Sequence, residues 1–406
     1  MDFEYDPKTK AYLETLETFM SQEVYPAESV AATQIRESDD PWFRPPVLDE
    51  LKVSARAKGL WNLFLPDDEF GAGLTNLQYA PLAEISGRSV TLAPEAMNCS
   101  APDTGNMEIL AMFGTEEVKR DWLRPLLDGE IRSCFSMTEP DVASSDASNI
   151  AATLVADGDE FILNGRKWWS SGGMSAHCKM AIVMAVSDPS ASRHRRHSMV
   201  LVPLDSPGVT IVRSTSVFGY DDGLHGGHAE IVYDNVRVPA AYVLGGPGEG
   251  FAIAQARLGP GRVHHAMRTI GMAERAFDLM CERVHRRSTF GRDLVEHGVV
   301  QDWIARARIW IEQVRLLVLK TAWLLDTVGN KAASVEISAI KIAAPQMATW
   351  VIDRAIQAHG GLGVSQDTPL AAMYGLARIL RIADGPDEVH MMALARREAR
   401  RFAPTS

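Results

Sequence analysis

Apolar and polar positions divide the chain into three textures. Up to about residue 131 acidic and apolar residues mix at helical spacing, through Lys10 to Val24 and again through Ala80 to Leu127. The turn-rich Pro66-Asp67-Asp68-Glu69-Phe70-Gly71-Ala72-Gly73 breaks this pattern. From about 132 to 240, Lys179 to Val186, Ser198 to Leu204, Gly208 to Arg213 and Ala229 to Val238 are short runs rich in Val, Ile and Met, separated by Gly, Pro, Asp and Ser. They predict a small β domain. Helical texture then returns. Trp303, Ala307, Trp310, Val314, Leu317, Thr321 and Leu324 recur at alternating steps of four and three, as on the inner face of a long helix in a bundle. The expected fold class is α+β, with an N-terminal helical domain over 1–131, a middle β domain over 132–240 and a C-terminal helical domain over 241–406.

Composition narrows the partners. With 406 residues, 46% hydrophobic and 23% charged, the chain has material for a large core and two or three domains. A net charge of -11 without a basic stripe argues against nucleic acid, although local basic clusters can still hold a phosphorylated cofactor. Cys99, Cys134, Cys178 and Cys281 are far apart and form no C-x-x-C, so neither a disulfide framework nor a zinc site is expected, and a reducing compartment fits. Met1-Asp2-Phe3-Glu4-Tyr5-Asp6 lacks the basic region of a targeting peptide, and no run of about 18 apolar residues predicts an integral membrane segment. A soluble, cytoplasmic protein is the expectation.

Candidate chemistry gathers in two stretches, Phe135-Ser136-Met137-Thr138-Glu139-Pro140-Asp141-Val142-Ala143-Ser144-Ser145-Asp146 and Asn164-Gly165-Arg166-Lys167-Trp168-Trp169-Ser170-Ser171-Gly172. Short hydroxyls, backbone donors on small residues and paired indoles, delivered from two neighbouring extended segments, can hold the edge and face of a flat heteroaromatic ring. These stretches resemble the flavin-contacting loops of the acyl-CoA dehydrogenase family, T-E-P-x-x-G-S-D and N-G-x-K-x-W-I-T-N-G. The resemblance covers essentially the whole chain. Gly59-Leu60-Trp61-Asn62-Leu63-Phe64-Leu65-Pro66 and Gly71-Ala72-Gly73-Leu74 look like the N-terminal signature, and Gly246-Pro247-Gly248-Glu249-Gly250-Phe251 looks like the turn into the C-terminal bundle.

The resemblance implies an acyl-CoA dehydrogenase-like fold with a β-barrel-like middle domain, FAD as cofactor and a homodimer or homotetramer. It implies cofactor contacts from Phe135, Met137, Thr138, Ser144, Ser145, Trp169, Ser170 and Ser171. Arg287, Thr289 and Phe290 match a segment that in this family reaches the cofactor of a neighbouring subunit, and Gln357, Ala358, His359, Gly360 and Gly361 match one that lies along its pyrophosphate.

The implied reaction removes two hydrogens from the carbons next to a thioester: a carboxylate takes the α-proton, the flavin accepts the β-hydride, and electrons pass to an electron-transfer flavoprotein. By resemblance the base is Asp384 in Ala383-Asp384-Gly385-Pro386, where most of the family has Glu. The tripeptide is also a strong turn signal. Some relatives carry the base on an earlier helix instead, at a position occupied here by Gly261, so that site is empty. Ser145, Gly259, Pro260, Gly261 and Arg262 are the expected substrate contacts. Gly375-Leu376 replaces the usual Arg-Asp pair, and Pro386 and Glu388 replace Thr and Gln, so the resemblance does not carry the family's cofactor contacts over to those last two positions.

Further motifs, among them Phe218-Gly219-Tyr220, His225-Gly226-Gly227-His228 and Arg262-Val263-His264-His265, are similar to a subgroup that includes dehydrogenase modules fused behind a kinase-like domain in large animal proteins. That subgroup suggests an alternative: redox-neutral conversion of a 4-phosphoryloxyacyl-CoA with phosphate loss. A non-enzymatic alternative is an acyl-CoA-binding scaffold or sensor. His225, His228, His264 and His265 are read either as substrate-side groups or as imidazoles satisfied in packing. Arg193-His194-Arg195-Arg196-His197 is either a solvated basic loop or a receptor for coenzyme A phosphates. No metal site is expected, because no carboxylate cluster accompanies the histidines.

Overall fold

Helix starts are written into the local sequence. The computed structural model describes residues 4–402, and its first helix, α1 (Pro7–Phe19), opens with Asp6 accepting from the Thr9 backbone N–H and Pro7 at the first helical position. After α2 (Tyr25–Glu37) and α3 (Pro46–Ala57), α4 (Asn76–Gly87) begins with a Thr75/Gln78 capping box. Four shorter helices follow, α5 (Leu92–Ala96), α6 (Asp103–Phe113), α7 (Glu116–Val118) and α8 (Arg124–Leu127).

The middle of the chain is a seven-stranded sheet made of β1 (Arg132–Ser136), β2 (Thr153–Asp157), β3 (Glu160–Ser171), β4 (Cys178–Val186), β5 (His197–Pro203), β6 (Val209–Thr215) and β7 (His228–Pro239). Its order is β1-β4-β2-β3-β7-β6, with β5 added on β4. β1 pairs with β4 in parallel, whereas β3 pairs antiparallel with β2 and β7. Leu154, Leu163, Val183, Val200, Ile231 and Val236 pack its core. The four apolar runs read from the sequence coincide with β4 to β7. β3 carries the polar Asn164-Gly165-Arg166-Lys167 and is a strand because β7 pairs with it along its length.

Beyond the sheet come α9 (Gly250–His285), a small hairpin of β8 (Ser288–Thr289) and β9 (Arg292–Asp293), and the helices α10 (Gly298–Ala332), α11 (Ser334–His359), α12 (Leu370–Ile379) and α13 (Asp387–Arg400). On α10 the predicted stripe faces inward: Ala307, Val314 and Thr321 are buried, and Trp310 meets Trp350 of α11 with ring centroids 6.0 Å apart.

Contacts group the chain into two compact units. One comprises Met1–Tyr25, Leu74–Pro94 and Arg262–Ser406; the other comprises Pro26–Gly73 and Glu95–Gly261. Within the first, α4 and α9 cross so closely that a Cβ on Gly87 would lie 2.2 Å from the Arg268 carbonyl oxygen, and one on Gly271 1.8 Å from that of Glu84. Only glycine fits at either position.

Candidate active site

In the sheet unit, the segment leaving β1 is held by a buried ion pair. Glu139 accepts from Lys167 Nζ at 2.7 Å, from the Ala152 N–H at 2.9 Å and from the Ala151 N–H at 2.8 Å. Lys167, fully buried, also donates to the carbonyls of Met137 at 2.9 Å and Met184 at 2.7 Å. Burial brings the Lys167 pKa down to about 8 against the pull of Glu139. The Thr138 hydroxyl donates to the Trp168 carbonyl at 2.9 Å, and the Trp168 N–H returns a bond to the Thr138 carbonyl at 3.1 Å. The two stretches are thereby tied together.

The register of β3 against β7 slips between Lys167 and Ser170, and Trp169 has φ 53°. A bulge with a left-handed bulky residue is costly and turns the side chain away from strand alternation. Beyond it Ser170 points into the sheet, fully buried, with its hydroxyl 2.8 Å from Ser136 Oγ. Ser171 points the other way, half-buried, with Oγ 2.9 Å from His228 Nδ1. Of the two hydroxyls read from the sequence, Ser170's is committed inside the sheet and Ser171's is not. Ser144 Oγ accepts from the Glu139 N–H at 2.9 Å and closes its own turn, while Ser145 is exposed. Phe135 lies beneath the Arg257 guanidinium, 4.0 Å from the ring centre.

In the helical unit, Asp384 sits between α12 and α13 with φ 56°. Donors from three helices clamp this turn. Arg262 Nε donates to the Asp384 carbonyl at 3.1 Å, and His390 Nε2 lies 3.1 Å from the same oxygen. Lys341 Nζ donates to the carbonyls of Leu380 at 2.6 Å and Gly385 at 3.2 Å. The carboxylate Oδ2 lies 3.6 Å from His265 Nε2, and the side chain is 20% exposed. Burial lowers Lys341 to about 8 and His390 to about 4, so His390 is neutral at neutral pH. A cavity lined by Arg262, His265, Thr269, Ile340, Lys341 and Leu380 opens beside the turn.

The remaining expected residues separate into available and enclosed. Gly259, Pro260 and Gly261 lie inside α9, and a Cβ on Gly261 would meet nothing within 4 Å. On the β8/β9 hairpin Arg287 is exposed, Thr289 is half-buried, and Phe290 is 96% exposed at φ 52°. Gln357, Gly360 and Gly361 are exposed, whereas Ala358 is buried and His359 turns its Nδ1 to the Ala355 carbonyl at 2.8 Å within its own helix. His264 is buried edge-on to Tyr79 and lowered by burial to about 3, so only His265 of that pair faces Asp384. In the basic loop Arg193 bonds Asp146 and Ser148, Arg195 bonds Glu249, and His197 is fully buried. Those partners favour the solvated, ion-paired reading of that loop.

Sequence reasoning missed Lys341, Lys167 and Arg257 as parts of these arrangements. A lone lysine in the apolar Ile337-Ser338-Ala339-Ile340-Lys341-Ile342 was the available signal for the first. Among the described residues no cluster suited to a metal ion is present, and no helix is long and apolar enough to cross a membrane.

Three family models match the chain in succession: the acyl-CoA dehydrogenase N-terminal domain over residues 6–130, the middle domain over 134–236 and the C-terminal domain over 248–399. The chain belongs to the acyl-CoA dehydrogenase family. It is 57% identical to the probable acyl-CoA dehydrogenase FadE2 of Mycobacterium tuberculosis, over 100% of this chain and 98% of that one. It is 53% identical to acyl-CoA dehydrogenase family member 11 of Homo sapiens over 94% of this chain, and spans only 49% of that protein's length. A solved Mycobacterium abscessus structure assigned to the acyl-CoA dehydrogenases superposes with TM-score 0.96 at 53% identity, covering 99% and 100% of the two chains. Butyryl-CoA dehydrogenase of Megasphaera elsdenii gives 0.83 at 27% identity, covering 98% and 100%. The fold is thus that of the family, with helical, curled-sheet and helical parts in sequence, and the protein is an oxidoreductase that uses FAD.

The residues present fit that cofactor. The bulged Trp169 and the outward Ser171 offer a ring face and a hydroxyl, and Gly360 and Gly361 leave open space where side chains would stand. The wholly exposed Phe290 is an apolar ring in want of cover.

Proposed function

We propose that this protein oxidises a fatty or branched acyl-CoA to its trans-2-enoyl-CoA, with Asp384 as the α-proton base, and passes the electrons to an electron-transfer flavoprotein as a cytoplasmic homodimer or homotetramer. The observation that carries this reading is the clamped turn. Arg262, His390 and Lys341 hold the backbone around Asp384, and its carboxylate Oδ2 lies 3.6 Å from His265 Nε2. FAD, when bound, supplies the hydride acceptor, which no side chain can. Asp384 takes the proton, and its left-handed backbone fixes where the short side chain points. Trp169, Ser171 and Thr138 would hold the ring, and the exposed Gly360 and Gly361 would admit the pyrophosphate. Anaerobic mixing of the yellow protein with plain, branched, 4-hydroxy and 4-phosphoryloxy acyl-CoAs tests this. Bleaching of the flavin by a plain or branched acyl-CoA is expected; none by any member of the panel would overturn it.

A second reading draws on the same turn. Arg262 and Lys341, with His265 beside Asp384, line a cavity whose two cations suit an oxyanion on the acyl chain. Such a cavity favours a 4-phosphoryloxyacyl-CoA, with phosphate lost, hydride returned to carbon and no net oxidation. Sustained anaerobic turnover with phosphate release and no added acceptor would establish it against simple dehydrogenation, which stops after one turnover under those conditions.

A further inference from the structure

His228 stands behind both residues that the proposed function sets against the FAD ring. It faces Ser171 across the β3/β7 ladder, with Nδ1 2.9 Å from Ser171 Oγ, and its ring centroid is 5.2 Å from that of Trp169. On its far side Nε2 lies 3.6 Å from Asp222 Oδ2, and Asp222 Oδ1 lies 2.8 Å from His225 Nδ1. Thr215 Oγ1 donates to the His228 carbonyl at 3.1 Å and fixes the backbone from β6. The line from His225 to Ser171 is enclosed, the His228 side chain being 6% exposed and that of Asp222 10%. α-Proton removal does not use these groups.

The partners fix the tautomer. The Asp222 carboxylate is 3.6 Å from Nε2, too far for a hydrogen bond, but its negative charge on that side favours the ring proton at Nε2, which leaves Nδ1 a bare acceptor. Ser171 then donates its hydroxyl proton to His228 and keeps its oxygen lone pairs for the outer side of the strand. We propose that Asp222 and His228 are positioning residues that make the Ser171 hydroxyl an acceptor towards the edge of the FAD ring, biasing the bound cofactor to its reduced, N–H-bearing form. The inference rests on the reading that Ser171 meets the cofactor. It follows the logic by which a partner on one imidazole nitrogen sets the chemistry at the other.

Burial lowers the His228 pKa and keeps the ring neutral at neutral pH. Asp222 stays ionised although burial opposes it, because His225 faces it. The other charges acting on this line are Arg132 and Glu95, which bear on His225 with opposite sign. Acid reverses the arrangement. A protonated His228 donates from Nδ1 to Ser171, whose hydroxyl proton is then released to donate outward, favouring the oxidised ring.

Two readouts on the FAD-loaded protein test this. Nitrogen-15 spectra of His228, assigned by their loss in His228→Asn, should show a protonated Nε2 and a bare Nδ1; the opposite tautomer overturns the inference. The flavin midpoint potential should fall in His228→Phe by at least a tenfold change in the reduced-to-oxidised ratio, about 30 mV for a two-electron couple. His228→Asn, whose carboxamide oxygen can take the place of Nδ1, should stay near the wild-type value. In a Ser171→Ala background the effect of His228→Phe should vanish, since the route between ring and cofactor is gone. If His228→Phe does not fold, Asp222→Asn should lower the potential in the same direction by releasing the Nε2 proton. An unmoved potential with FAD retained overturns this inference alone. Wild-type protein that holds no FAD overturns the cofactor reading and this inference with it.

Discussion

Asp384 carries one methylene fewer than the Glu that most of the family places at this position, and the surrounding residues have to make up the difference. A misplacement of about 1 Å can cost on the order of a hundredfold in rate. The left-handed backbone at Asp384 and the donors on its own carbonyl and on those of Leu380 and Gly385 fix the turn to that tolerance. Asp384→Asn keeps the shape but cannot take a proton. It should retain yellow FAD and bind acyl-CoA, yet lose roughly 10² to 10⁴ in the rate of flavin reduction measured by anaerobic stopped flow. Reduction as fast as in the parent would move the base elsewhere. The motif register alone led to Asp384, because the turn and its neighbours are local in sequence. His265 was offered by the sequence as a substrate-side group, but Lys341 was not legible as a companion of Asp384, since it arrives from α11 through folding. The division of labour between Ser170 and Ser171 was hidden for another reason. Lys167 points inward, so strict alternation would send Ser171 inward too; the bulge at Trp168 and Trp169 inserts a step and exchanges the two serines.

At the level of elements, period carried the prediction wherever one face of a helix or strand is apolar. The Trp303 to Leu324 stripe and the Val- and Ile-rich runs of β4 to β7 are of this kind. β2 and β3 are not, for their strand character comes from partners, and no spacing rule reports a partner. The same holds for the knot that joins α3, α5, α6 and β1. Lys52 donates to Glu95 Oε1 at 2.9 Å, Arg132 Nη1 lies 3.2 Å from Glu95 Oε2, and Arg132 Nε donates to Asp103 at 2.8 Å. Burial pushes the Glu95 pKa up, but Arg132 and Lys52 overcome this and bring it down to about 2 from an ordinary 4.5. The unfolded chain therefore binds the extra proton between those values. Glu95 contributes stability that is fully present above about pH 4.5 and is lost as pH falls towards 2. Its slope is at most about 1.4 kcal/mol per pH unit. Glu95→Gln should flatten that part of the profile in urea titrations at stepped pH. At neutral pH it should cost about 3–5 kcal/mol, because two buried cations lose their shared counter-charge. An unchanged slope would place the acid sensitivity in another carboxylate.

On the scale of the whole molecule, the chain leaves a large apolar side chain exposed, which the proposed assembly would cover. Phe290 is 96% exposed at the tip of the β8/β9 hairpin, held in a left-handed conformation that a bulky residue adopts only at a cost. Covering such a ring is worth about 1.5–3 kcal/mol, a gain the isolated chain does not collect. Beside it Arg287 is exposed, a side chain suited to a charge-assisted bond with phosphate. In the proposed homodimer or homotetramer, this hairpin would serve the cofactor of a neighbouring subunit. Under that proposal assembly and FAD binding would be linked equilibria, since a ligand that bridges two chains stabilises the pair by mass action. Arg287→Ala should weaken both together: FAD should dissociate more readily on dilution, and light scattering should show the dimer or tetramer shifting towards smaller species, with added FAD restoring part of the assembly. A variant that keeps its flavin and its size would separate the two equilibria. A wild-type monomer that holds FAD tightly would remove the shared site altogether and leave Phe290 exposed for some other reason.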